Sequence, residues 1–402
     1  MIRSRFSMLI KWRLCFFWGA ACFWSLSACA QELAEGVQAH GFLSQSVVRT
    51  SDNNVGGNSD DELAWDLREL GVNLSWRPNP DWLISGQALA RWAGETDEGS
   101  LRLDYGFVDR ALYNSGEAQV GVRLGKVKNP YGLFNTTRDV AQTRPGIIMP
   151  QSIYLDQVRN FFLAAPGISL YGNVDSDQGA LSWQVSAMQP EVDDVDLEYM
   201  TFLRDLPGKF AGKSSWLGQV MLDRDGGRWR MGISLGEMNM RYQPGRNPPL
   251  DLLGGTHRLP TWVLSGQHNS EDWTFTAEYA QTEVVARDYG ATFEDNTIES
   301  GYLQATRRFA NSWQGYLRYD VLYLDREDRD GIRFASSLPG APAHSRFAKD
   351  WVVGVRRDMD RLALSAEVHH VDGTAWLARV DNPAAGLVRK WDMLLLQAAW
   401  RF

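Results

Sequence analysis

Cysteine is nearly missing from this chain. Its 402 residues hold three, Cys15, Cys22 and Cys29, all among the first 30. The remainder therefore has no thiol, no disulfide framework and no cysteine-based metal site. Long hydrophobic runs are missing too. Beyond residue 30 no stretch approaches the ~18 consecutive apolar residues of a transmembrane helix. The six histidines are scattered and show no zinc spacing. What the chain does have is 44% hydrophobic residues, 37 Gly, 17 Trp and 12% aromatics overall. That is far too apolar for a disordered chain.

The first 30 residues read as a secretory signal peptide. Arg3, Arg5, Lys11 and Arg13 form a basic start without acids, followed by an apolar stretch from Leu14 to Leu26. Ala28-Cys29-Ala30 then supplies a small-x-small cleavage site. Leu26-Ser27-Ala28-Cys29 also fits a lipoprotein signal, in which Cys29 would be acylated. Residues 31–402 are expected to form one domain. Without the four leader cations, 37 basic residues face 49 acidic ones, about −12. Such a balance argues against nucleic acid as a partner.

From residue 37 onward, segments of about ten residues alternate apolar and polar, the period of half-buried strands. Trp82, Ile84, Gly86, Ala88, Ala90 and Trp92 share one face, and Gln87, Leu89 and Arg91 the other. Trp313, Leu317, Tyr319, Val321 and Tyr323 alternate with Gln314, Arg318 and Asp320. Trp and Tyr gather at segment ends, where amphipathic rings meet lipid headgroups. Charged residues take the opposite face, which only a water-filled lumen could hydrate. Bilayer-spanning strands must pair every backbone group, so the sheet must close.

Sixteen such strands are expected, the second near 63–76, the fourth near 101–112 and the last at 391–402. Seven connections are short turns and eight are longer and polar. The fold class is therefore an all-β, antiparallel, up-and-down transmembrane barrel, with both termini on the short-turn side. Two places fit badly. Glu69-Leu70 breaks the alternation and suggests a bulge. Asp109 falls on the lipid-facing parity and needs a bulge or a position near the membrane edge. At the end of the chain, Leu394, Leu396, Ala398, Trp400 and Phe402 share one face. A last strand ending in Phe resembles the signal by which bacterial outer-membrane barrels are recognised for assembly, which would make Trp400 and Phe402 its carriers.

The longest non-strand stretch is 128–166. It begins Gly125-Lys126-Val127-Lys128-Asn129-Pro130-Tyr131-Gly132-Leu133. Sixteen strands with the longest external loop in third place resembles the porin superfamily, and the Gly125-x-x-Lys128-x-Pro130-Tyr131-Gly132-Leu133 pattern is similar to that of phosphate-selective, O/P-like porins. The resemblance implies a constriction loop folded into the lumen, a homotrimer, and a bacterial outer membrane with its lipid and lipopolysaccharide as surroundings. Between 126 and 166 lie five cations, Lys126, Lys128, Arg138, Arg144 and Arg159, and two acids, Asp139 and Asp156. Confined at a narrow place, the cations would favour anions. Alternatively they pair with wall acids such as Asp104, Asp320 or Glu278 and only position the loop. Strand parity offers Arg91, Arg102, Asp104, Arg123, Arg230, Glu278, Arg318 and Asp320 as pore-wall residues, with Gln87, Gln119, Gln184, Arg356, Glu367 and Arg401 beside them.

Catalysis is not expected. Gly232-Ile233-Ser234-Leu235-Gly236 spells a nucleophile elbow, but it lies mid-strand, without the helix that would expose the serine. His369 and His370 are adjacent on a strand and point to opposite faces. Acidic clusters at Asp325/Glu327/Asp328/Asp330 and Glu191/Asp193/Asp194/Asp196/Glu198 could take Ca²⁺ or Mg²⁺ or simply be solvated; no other cofactor is expected. The sequence points to passive diffusion of small hydrophilic solutes or ions. A lipid hydrolase at the barrel rim and a non-conducting structural or adhesive barrel are the alternatives.

Overall fold

The computed structural model describes residues 31–192, 195–247, 253–289 and 295–402. The leader, with Cys15, Cys22 and Cys29, lies outside them, as do Asp193 and Asp194. Sixteen strands form the wall: β1 (Val37–Thr50), β2 (Arg68–Asn79), β3 (Trp82–Ala93), β4 (Arg102–Asn114), β5 (Ala118–Lys128), β6 (Ala164–Ser176), β7 (Gly179–Met188) and β8 (Ser215–Arg224). They continue as β9 (Trp229–Pro244), β10 (Thr256–Asn269), β11 (Trp273–Arg287), β12 (Asn296–Arg308), β13 (Trp313–Tyr323), β14 (Phe347–Met359), β15 (Leu362–Gly373) and β16 (Lys390–Arg401). Each pairs antiparallel with the next. β16 returns to β1, running from Met393↔Thr50 to Arg401↔Phe42, so the sheet is a closed cylinder. Short turns join the strands on one rim and all the long connections lie on the other.

The solvent preference of the two faces is reversed relative to a soluble protein. Leu70, Val72, Leu74 and Trp76 of β2 are exposed on the outside, as are Leu394 and Leu396 of β16. Charged residues such as Arg91, Asp104, Arg318 and Glu367 are buried inside. That distribution suits a hydrocarbon solvent around a polar interior.

Both misfits of the alternation find a cause. Opposite Gln87 and Ala88 the register of β4 shifts, with Tyr105 and Leu103 as their partners and Asp104 left as the extra residue. This bulge brings Asp104 and Tyr105 both inside and reverses the parity beyond them. Asp109 consequently faces inward, where the Arg123 Nε–H donates to it at 2.8 Å and the Tyr171 hydroxyl at 2.7 Å. At Glu69-Leu70 there is no bulge. The pairs Glu69↔Arg91 and Leu70↔Ala90 follow in unbroken register. Instead the strand begins at Arg68 rather than near 63, and the residues before it belong to the connection.

At the end of the chain, the rings of Trp400 and Phe402 pack at a tilt of 33°, with centroids 4.9 Å apart. Phe402 exchanges backbone hydrogen bonds with Gly41 at 2.8 and 2.9 Å. A Cβ on Gly41 would stand 2.1 Å from the Phe402 ring, so only glycine fits beneath it.

Candidate constriction site inside the barrel

The connection between β5 and β6 covers residues 129–163, a little shorter than 128–166 because β6 starts at Ala164. Its two ends are tied together. The Asn129 N–H donates to the Leu163 carbonyl at 2.9 Å, and the Asn135 amide donates to the carbonyls of Asn129 and Phe162 at 3.0 and 2.8 Å. The chain thus leaves the wall and returns to it at one narrow neck. Between them it runs through the interior, and most of its residues are buried.

The first crossing meets β8–β11. Gly132 adopts φ +59°, and a Cβ there would lie 2.3 Å from the Tyr154 hydroxyl and 2.8 Å from Glu278, so glycine is required. Its N–H donates to Ser234 Oγ at 3.1 Å, and its carbonyl accepts from Gln219 at 2.7 Å. The Leu133 N–H donates to Glu278 at 2.8 Å. The same carboxylate accepts from the hydroxyls of Tyr154, Ser265 and Tyr302 at 2.6, 2.6 and 2.8 Å. Glu278 is therefore held by four neutral donors, and Tyr131, Met149, Ile153 and Tyr154 pack around it against Val263 and Ala280.

The second stretch meets β12–β15. Gln304 donates to the Pro145 carbonyl at 3.1 Å. The N–H groups of Ile147 and Ile148 donate to Glu367 at 2.8 and 3.2 Å, and that of Ser152 to Asp320 at 3.3 Å. Arg318 donates to the Ile148 carbonyl at 3.2 Å. Glu367 also receives the Tyr316 hydroxyl and contacts His369, which in turn sits 2.7 Å from Asp350.

The third stretch meets β2–β4 through charge. Arg144 binds both oxygens of Glu69, at 2.8 and 2.7 Å. Arg159 grips Asp104 with two donors at 2.7 and 2.9 Å. Arg91 reaches Asp97 at 2.6 Å and Asp156 at 2.9 Å, and Arg102 donates to Asp97 as well. Paired donors and flat carboxylates fit each other's geometry, which fixes direction as well as distance. Burial pushes the Asp156 carboxyl up, but the guanidiniums of Arg91 and Arg138 outweigh it and hold the group below the usual carboxylate range. Arg138 is the exception among the cations. Among the described residues the one carboxylate paired with it is Asp156, at 3.5 Å, and its side chain is 1% exposed. Burial and the neighbouring Arg159, Arg144 and Arg91 bring it down to about 10 against the pull of Asp156.

Of the seven constriction residues read from the sequence, six come together inside the barrel. Lys128 joins them through Asp139 at 2.8 Å and lies over the Tyr105 ring. Lys126 does not. Its ammonium pairs instead with Glu191 at 2.6 Å and donates to the Leu103 carbonyl at 2.9 Å, apart from the other six. Among the wall candidates, Arg91, Asp104, Glu278, Arg318 and Asp320 contact the loop, Arg102 acts through Asp97, and Arg123 is bound to Asp109. Arg230 is half exposed and pairs with Asp223 at 2.8 Å near the short-turn rim. Glu69, Ser234, Tyr154 and Tyr302 are loop anchors that strand alternation did not single out; the inward parity of Glu69 was the available signal. Ser234 is buried among its two donors, which is how the elbow-like motif is used here. His369 is buried and His370 exposed, on opposite faces as expected. Asp325 pairs with Arg333 at 2.5 Å, while Asp328 accepts the N–H groups of Arg333 and Phe334. Among the described residues no group of three or more His, Cys, Asp or Glu is placed to hold a metal ion.

No family model matches the sequence. A proline–tRNA ligase of Lactobacillus johnsonii is 42% identical over 59 residues, 14% of this chain. The chain spans only 10% of that protein's length, a match too short to bear on a whole barrel. Solved structures agree over nearly the full length. An anion-selective porin from Comamonas acidovorans is 12% identical, with a TM-score of 0.58, over 91% of this chain and 99% of that one. The outer-membrane channel DcaP of Acinetobacter baumannii is 13% identical at 0.58, over 93% and 100%. Salmonella typhi OmpF, in complex with daunomycin, is 10% identical at 0.57, over 92% and 98%. The chain folds as a porin-like sixteen-stranded barrel.

Proposed function

We propose that this barrel is a porin of a bacterial outer membrane, passing small hydrophilic solutes and ions passively beside an inward loop. The observation that carries this reading is the loop itself: 129–163 leaves the wall at one neck and is tied to strands around most of the circumference. A plug without transport would need no such fixed, charged rim. Resemblance in fold to an anion-selective porin and an outer-membrane channel supports the same reading. Its preference is for anions, and mild. The loop contributes four inward cations, Lys128, Arg138, Arg144 and Arg159, against Asp139 and Asp156. Two of the four are matched by wall acids, Glu69 and Asp104. No catalytic step belongs to this proposal, and assembly as a homotrimer rests on the resemblance in sequence pattern.

Planar-bilayer recording tests it. Stepwise, ohmic conductance with a reversal potential displaced slightly toward that of chloride in a KCl gradient is expected. A purified, folded barrel that gives no conductance steps overturns the proposal, and a potassium-directed reversal potential overturns its anion preference.

A further inference from the structure

Near the short-turn rim the two faces of the wall treat their arginines differently. Two consecutive arginines close β12 and two more lie near the end of β14. Strand alternation sends one of each pair inward and the other outward. The inward ones are engaged. Arg308 donates to the Glu271 carbonyl at 3.2 Å and to Thr274 Oγ1 at 2.7 Å, and Arg356 donates to Asp358 at 2.9 and 2.6 Å. Arg307 and Arg357 are exposed on the outer face, which they share with the exposed Leu303, Phe309, Val353 and Val355. Arg110 of β4 is likewise exposed, beside Val108. Each of the three lies directly across from a tryptophan that begins the preceding strand: Trp82↔Arg110, Trp273↔Arg307 and Trp313↔Arg357. The guanidinium stands over that indole in every case, 5.2, 5.5 and 5.4 Å from its centroid. Among the described residues no hydrogen bond or ion pair engages any of the three guanidiniums.

A cation on a lipid-facing wall is costly at the bilayer centre and tolerated near its edge. Tryptophan marks that edge, because its ring prefers the headgroup level. The indole covers one face of the guanidinium and leaves its N–H fork without a protein acceptor. At this depth the acceptors at hand are headgroup phosphates. A planar fork of donors matches two phosphate oxygens, where an ammonium is only a point charge. The composition of the rim follows that preference. It carries arginine and no lysine, and the six lysines beyond the leader all lie toward the long connections.

We propose that these three Arg–Trp pairs dock the headgroup phosphate of an anionic phospholipid at the short-turn edge of the membrane. The phosphodiester oxygens accept from the guanidinium fork, and the acyl chains run along apolar neighbours such as Leu303, Val353 and Val355. A headgroup of net negative charge is favoured over a zwitterionic one, whose own ammonium would meet like charge. The site goes beyond the passive passage proposed above and does not depend on it, because lipid binding is measured on the folded barrel whether or not that barrel conducts.

The test uses the full mature chain folded in detergent, titrated with dioleoylphosphatidylglycerol or dioleoylphosphatidylcholine and read by native mass spectrometry. The first phosphatidylglycerol molecules are expected to bind about three- to tenfold tighter than phosphatidylcholine, the scale of one cation acting on one anionic headgroup. Replacing Arg110, Arg307 and Arg357 together by Gln should abolish that preference, and Arg357→Gln alone should lower it. A comparison variant replaces Arg258, Arg287 and Arg389 by Gln. It loses the same charge at exposed cations already paired with Glu237, Asp295 and Asp372, and should keep the preference. All variants are first checked as intact barrels by heat-shifted gel mobility. Equal binding of the two lipids to wild type, or equal loss in the two triple variants, overturns the proposal. Displacement of the lipid by millimolar inorganic phosphate also overturns it and leaves a site for free anions.

Discussion

The inward loop is fastened to opposite walls by two different chemistries. Against β2–β4 it uses charge on charge, with Arg144 on Glu69, Arg159 on Asp104 and Asp156 on Arg91. Against β11–β15 the wall supplies Glu278, Asp320 and Glu367, and the loop answers chiefly with backbone N–H groups and the Tyr154 hydroxyl. The first kind depends on particular side chains of the loop. The second asks only that the backbone follow a certain path, because every residue but proline carries an N–H. One wall therefore reads the loop's sequence and the other reads its shape.

Breaking the charged side should have the largest effect. Arg159→Met leaves Asp104 buried without its cation, and removing one member of a buried pair costs about 3–5 kcal/mol. A lower denaturation midpoint and faster protease cutting of the loop are expected, and Asp104→Asn in the same chain should restore most of the loss. On the other wall, Glu278→Gln keeps the shape but weakens the acceptor for four donors, for about 1–3 kcal/mol. Equal losses at the two walls, measured by the same denaturation, would erase the distinction. Away from the loop, Gly41→Ala forces a methyl into the Phe402 ring and should cost about 1–3 kcal/mol, read as slower folding into detergent or lipid.

The smallest effects come from pH. Asp156 is held below its ordinary range, so its pairing is complete at neutral pH and is lost only as strong acid takes the pH through that lowered value. Asp381, in the connection before β16, behaves in the opposite sense. Burial, with Glu95 and Asp66 nearby, raises it to about 6. Its native state binds the extra proton, so stability should rise as pH falls from 7 toward 5 and decline again on the way back. Thermal unfolding of wild type and Asp381→Asn across that range checks this, since the variant should lose the dependence.

The wall was legible from sequence because alternation is local. Strand parity alone put Trp82 and Leu394 outside and Arg91 and Arg318 inside. Where the reading failed, the cause was a register shift or a distant partner. At Asp109 the bulge offered as one cause is the one found, with the extra residue at Asp104; at Glu69 the bulge expected is absent, because the strand starts at Arg68. Lys126 was grouped with its neighbours by charge, but its partners are Glu191 and the Leu103 carbonyl, which lie far from it in sequence. The loop's cations were visible as a cluster. Asp104 and Glu278 stood among the wall acids offered as partners, and Arg159 does meet Asp104; which acid meets which group, and that Arg144 meets Glu69, is set only once the sheet closes. The assignment of Gly132 to a left-handed turn beside Glu278 was likewise beyond local pattern.

The neck formed by Asn129, Asn135 and Leu163 separates two design problems. Since the loop departs and returns at neighbouring points, its length and sequence can change without altering the circumference of the cylinder or the register of β5 with β6. Lengthening such a closed excursion costs little, only about 0.6 kcal/mol per doubling. Filter and pipe can thus diverge independently: one gene can keep its wall while acquiring a new mesh.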